Sequence, residues 1–125
     1  DAAYVIATMA LRMFRLISGD PITERLVLYP RILHEAVSGS QRAFIRANIV
    51  DGLEKGRFHS LLPAESLEPI RSWGFVGLVI TAIERGSQNA DSVTWAKFVL
   101  LSLGLDDRDA DKVVKQVVER VPYSD

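Results

Sequence analysis

Cysteine is absent from the 125 residues. That excludes disulfide scaffolds, thiolate-bound zinc, iron–sulfur clusters and thiol nucleophiles. An excess of either charge is also missing, since 15 basic residues meet 16 acidic ones for a formal net charge of −1. Bulk positive charge therefore cannot drive binding to nucleic acid or membranes, although a local patch can. Long apolar runs are equally scarce. The longest uncharged stretch, Ser72 to Ile83, falls well short of the ~20 residues that span a bilayer. Arg12 and Arg15 interrupt the apolar opening from Ala2 to Ile17, and no basic segment precedes it, so it does not read as a signal peptide. Starting at Asp1 rather than Met, the sequence reads as a piece of a larger protein, and an intracellular, soluble, cytoplasmic or nuclear address is expected.

What is present is ordinary globular material, 48 % hydrophobic and 25 % charged. The length suits one domain over residues 1–125 with a core that needs no metal or disulfide staple. Apolar residues recur at helical spacing, with no sustained strand alternation, internal repeat or low-complexity tract. The expected fold is all-α: a compact bundle of five to seven helices around a central apolar pair.

The first helix covers Ala2 to Ile17 and stops at Ser18-Gly19. Asp20 caps a second, opened by Pro21 and reaching about Tyr29. After Pro30 a short helix carries Ile32, Leu33, Ala36 and Val37 to Ser38-Gly39. Ser40 is the expected cap of a fourth helix, Gln41 to Lys55, closed by Gly56. Ser66 is the expected cap of a fifth, with Pro69 in its first turn and its end at Arg85. The middle of that helix, Trp73 to Ile80, is apolar on every side and so belongs at the centre of the fold. Gly74 and Gly77 weaken a helix interior, and close approach of a neighbouring helix is the natural compensation. Past a polar turn at Gly86 to Ala90, Asp91 or Ser92 caps a sixth helix ending near Leu103. Asp106 then caps a seventh, whose Ala110, Val113, Val114, Val117, Val118 and Val121 form one stripe. The central pair is thus expected to be the fifth and sixth helices.

Catalytic and metal motifs are incomplete. His34-Glu35 carries two residues of a zinc-protease helix, but Ser38 stands where the second histidine is required. Asp107, Asp109 and Asp111 have the first three ligand positions of a calcium-binding loop, yet Lys112 replaces its glycine and Val118 its final glutamate. Acids in a first helical turn are explained by the helix dipole. Gly52 to Arg57 lacks the spacing and the Lys-Ser/Thr ending of a phosphate loop, and Ser38-Gly39-Ser40 lacks the flanks of a nucleophile elbow. No catalytic residue, metal or cofactor is therefore assigned.

Arginine is the informative residue type. Eleven arginines stand against four lysines, and no lysine precedes Lys55. Between Arg12 and Arg46 six arginines face only Asp20, Glu24 and Glu35. Arginine favours planar, two-pronged contact with carboxylate or phosphate. At 100° per residue, Arg42 and Arg46 fall in the centre of an apolar arc formed by Ile45, Ile49, Val50 and Leu53. Either they pair inside the fold with acids such as Glu35, or this helix overhangs the core and presents them to an outside partner.

Arg42, Arg46, Arg12 and Arg15 are the expected partner-binding residues. The favoured reading is a non-enzymatic helical protein–protein interaction or assembly module, with an acidic segment or a second copy as partner and no membrane contact. A nucleic-acid-associated domain of viral or phage nucleocapsid type is the alternative. A small-ligand carrier or enzyme, with a pocket between Trp73 and Trp95, is the third.

Overall fold

A computed structural model describes residues 1–17, 20–85 and 91–121. The helix stop expected at Ser18-Gly19 and the turn expected at Gly86 to Ala90 lie outside them. Within the described residues seven helices follow one another: α1 (Ala2–Ile17), α2 (Pro21–Leu26), α3 (Pro30–Ser38), α4 (Arg42–Glu54), α5 (Ala64–Arg85), α6 (Ser92–Ser102) and α7 (Asp107–Arg120). Among the described residues there is no strand, so the fold is all-α, and one continuous apolar cluster joins the helices.

Short acidic side chains set four helix starts. Asp1 accepts a hydrogen bond from Tyr4 N at 2.9 Å, Asp20 from Ile22 N, Asp91 from Thr94 N at 2.7 Å, and Asp106 from Asp109 N at 2.7 Å. Each satisfies one of the donors that a helix N-terminus leaves without a partner. Two expected serine caps are corrected. Ser40 does not cap α4: Gln41 takes that position without a side-chain bond, because the chain from α3 to α4 stays near helical geometry through Gly39. Ser66 does not cap α5, which begins at Ala64, and the Pro63 carbonyl receives the amides of Ser66 and Leu67. Pro69 consequently sits in the second turn of α5, and its missing N–H leaves one helical bond unmade. The second helix is also shorter than expected and ends at Leu26, followed by a turn in which Tyr29 N donates to Leu26 O.

The central pair is α1 with α6, not α5 with α6. Helix α1 packs most extensively on α6 and also against α4 and α7. Its buried face is built largely of small residues (Ala2, Ala3, Ala7 and Ala10) around Ile6 and Leu11, while α6 contributes the wholly buried Ala96. Small side chains let two helix axes come close. The close approach expected at Gly74 and Gly77 is absent. Both glycines are exposed, and a Cβ at either would meet nothing within 4 Å. Helix α5 packs chiefly on α4 and α3, and its buried residues include Leu67, Ser72, Phe75 and Val76.

Glycine is required elsewhere. Gly52 lies under Phe58, so that a Cβ there would collide with the ring. Gly104 has φ +94° and faces the His59 backbone, whose N–H donates to Leu103 O at 2.9 Å. The loop after α4 is thereby pinned beside the end of α6. Arg57 adds a second tie, pairing with Asp1 at 3.1 Å and gripping Asp109 with both terminal nitrogens. Lys97 of α6 bridges Asp107 and Asp111 of α7 at 2.8 and 2.9 Å.

Candidate functional site

The arginines singled out from sequence occupy different surroundings. Arg42 and Arg46 lie one turn apart on α4, with side chains 45 % and 54 % exposed. Arg42 pairs with Glu35 at 3.1 Å and Arg46 with Glu65 at 3.3 Å. Glu35 is the acid expected for Arg42, but the pair lies at the surface rather than inside the fold. The reason lies in α4 itself, where only Ile45, Ile49 and Gly52 are buried and Phe44 is turned outward. Arg12 is exposed with no ion pair among the described residues, as are Arg25 and Arg31. Arg15 is engaged within the fold. Its Nε donates to Ser92 Oγ at 3.2 Å and its Nη1 to Val121 O at 3.4 Å, which ties α1 to the start of α6 and the end of α7. The sequence places Asp107, Asp109 and Asp111 in calcium-ligand spacing, but the structure turns them to Arg57 and Lys97. Among the described residues, no three His, Cys, Asp or Glu side chains gather as a metal site.

A polar cluster between α3 and α5 was not singled out from sequence. His34 is 8 % exposed, its ring stacked on Trp73 at 3.9 Å and 6°, and its Nε2 lies 2.9 Å from Ser72 Oγ. The Ser72 hydroxyl also lies 3.3 Å from Pro69 O, and the imidazole tautomer sets whether it donates to that carbonyl or to the His34 nitrogen. Burial, and next the nearby Arg42 charge, hold the His34 imidazole below its ordinary value, with Glu68 and Glu35 opposing. A serine beside a histidine has nucleophile-and-base geometry. Ser72 is only 2 % exposed, however, and the cleft beside it holds ≈ 10 Å³, room for about one water. The pair therefore fastens α3 to α5 and has no space for a substrate.

One turn earlier on α5, Glu68 and Arg71 form a buried pair whose geometry is poor. Their side chains are 7 % and 12 % exposed, and the closest approach, Arg71 Nη2 to Glu68 Oε1, is 4.0 Å. Neither Arg71 Nε nor Glu68 Oε1 has a hydrogen-bond partner. Burial pulls the Arg71 guanidinium below its ordinary value, and Glu68 opposes this only in part.

Arg71 also helps to wall a groove of about 250 Å³ between α5 and α6. Leu62, Ile70, Trp95, Phe98 and Val99 are among its lining residues, with Gly74 between the walls. Ile70 and Phe98 on its rims are 58 % and 60 % exposed. Leu61, fully exposed, stands beside Leu62 on the preceding loop, and Leu101 is exposed one turn along α6. Trp95 stacks on Phe98 at 5.8 Å and meets Phe75 at 5.5 Å, which joins the groove wall to the core. Trp73 lies apart on His34, so the two tryptophans do not share this site. Ile70 and Phe98 fall outside the buried faces of their helices, and Glu68 and Arg71 share one side of α5 with Phe75.

No protein-family model, curated protein or solved structure matches this chain.

Proposed function

We propose that this chain is a non-enzymatic helical interaction module that receives an apolar segment of a partner protein in the α5–α6 groove. The observation that carries this reading is the groove itself, apolar along its walls and flanked by Ile70 and Phe98, which the fold leaves more than half exposed. Large exposed apolar side chains grouped around a concavity mark interaction sites. At about 250 Å³ the groove falls below the roughly 300–1,000 Å³ of small-molecule sites. It suits a few apolar side chains of a helix or strand laid along it. A photo-crosslinking amino acid at position 98 is expected to form protein adducts in cells, whereas one at Lys115, on the exposed side of α7, is not. Equal crosslinking at both positions, or none at 98, defeats this reading.

A second reading, nucleic-acid association, draws on Arg12, Arg25 and Arg31, which are exposed without an acid partner among the described residues, and on Arg42 and Arg46 one turn apart. There Arg42 and Arg46 exchange Glu35 and Glu65 for phosphates. Binding of this kind falls linearly on a log–log plot against salt, by about one unit of slope per phosphate contacted. Binding in the apolar groove does not.

A further inference from the structure

We infer that the segment received by the α5–α6 groove carries an acidic residue that pairs with Arg71. This rests on the groove reading above and adds the chemistry of the partner: apolar anchors with a carboxylate about one helical turn away.

A guanidinium has five N–H donors in a fixed plane. Among the described residues, none of those of Arg71 donates to a protein acceptor, although its side chain is only 12 % exposed. Glu68 is the carboxylate within ion-pair range, and at 4.0 Å it stands beyond hydrogen-bond reach. Both residues rise from one helix three positions apart, and Glu68 is the more deeply enclosed of the two. A buried charge pair offsets its desolvation only when its geometry is good and its remaining donors and acceptors are satisfied. Here neither condition is met.

No other side chain of the groove bonds to Arg71. Its walls are mostly Leu, Ile, Trp, Phe and Val, and its two serines bond to backbone groups instead. Ser60 Oγ accepts from Leu62 N at 3.0 Å, and Ser102 Oγ donates to Val99 O at 2.6 Å. Among the described residues lining the groove, Arg71 thus carries a buried donor, Nε, without an acceptor. Arginine and carboxylate match as two parallel N–H to oxygen bonds, and such bonds are strongest where water is excluded. An apolar segment without an acid would cover the guanidinium and leave it still without an acceptor, so the same feature discriminates against wrong partners.

The test pans the intact chain against a random peptide library and remakes one enriched peptide with its Asp or Glu changed to Asn or Gln. Binding is followed by the tryptophan fluorescence of the chain, with Trp73→Phe to isolate Trp95. Enriched peptides are expected to combine large apolar residues with an acid about one turn away, and to lose binding to Phe98→Glu. The acid-to-amide change in the peptide is expected to weaken binding about ten-fold or more, the scale of a hydrogen-bonded charge. Against Arg71→Gln the acidic and amide peptides should bind alike; should that variant melt, the peptide pair on the native chain still decides. If peptides need Phe98 but tolerate the amide within about two-fold, the groove reading stands and the role of Arg71 falls. If no peptide is enriched, or binding ignores Phe98→Glu, the groove reading falls and takes this inference with it.

Discussion

Arg42 and Arg46 show how little a helical wheel says about burial when the helix lies over the edge of the core. The wheel places both in an apolar arc, yet their partners Glu35 and Glu65 come from other elements and all four side chains stay accessible. Exposed pairs of this kind contribute about 0–1 kcal/mol each. Arg42→Glu with Arg46→Glu is therefore expected to cost less than about 2 kcal/mol in thermal melts; a loss of ~3–5 kcal/mol would mean that the pairs act as buried ones. His34 has a sharper signature. Its folded-state value lies below the ordinary 6.5, so the unfolded chain binds the proton more readily. By linkage, stability is fully present above 6.5 and falls as pH drops from there through the folded value. Urea melts across that window should show the decline, and His34→Gln should remove it. Asp109, held low first by its bond from Arg57, and Asp91, held low by the Thr94 amide, lose their contributions only below 3.8, so the steps separate.

At the scale of the element, α5 departs furthest from the reading of its sequence. A stretch apolar on all sides is expected at the centre of a fold, but α5 buries one side and leaves Trp73, Gly74 and Gly77 outside. Its glycines are not packing devices. Gly77→Ala is expected to stabilise by about 0.5–1 kcal/mol, because a Cβ meets nothing there and a helix interior prefers alanine. Gly52→Ala, in a helix too, is expected to destabilise by about 1–3 kcal/mol, because its methyl would overlap the Phe58 ring. Melting both variants together checks the assignment; destabilisation by Gly77→Ala would contradict the open space around it. Helix α7 was legible but for one residue: Asp106 caps it, and Ala110, Val113, Val114, Val117 and Val121 are buried at the expected spacing, whereas Val118, expected in the same stripe, is exposed.

For the molecule as a whole, stability is centred on the contact between α1 and α6, which alanines make close. Ala7→Leu should destabilise by about 1–3 kcal/mol, since a wholly buried position beside another helix has no room for three more carbons. A denaturation midpoint equal to that of the native chain would show that this interface is slack. The peripheral placement of α5 follows from the same arrangement: with α6 occupied by α1, the side of α6 that meets α5 is left as a groove.

Local signals in the sequence were enough for the all-α class, the seven helices of the described residues and the caps at Asp20 and Asp106, and they narrowed the cap of α6 to Asp91 or Ser92, because periodicity, proline and short acids act over a few neighbouring residues. Tertiary structure alone decided which apolar surfaces found partners. Alanines on α1 are as unremarkable in sequence as the aromatics of α5 are prominent, yet the alanines took the centre because small side chains permit close packing over a whole helix. The candidate site was hidden for the same reason. An apolar side chain such as Phe98 belongs to the core or to a groove according to what packs opposite, and Arg71 lacks an acceptor only because the walls that enclose it arrive from α6 and the loop before α5. Those are contacts between residues far apart in the chain, and no local pattern encodes them.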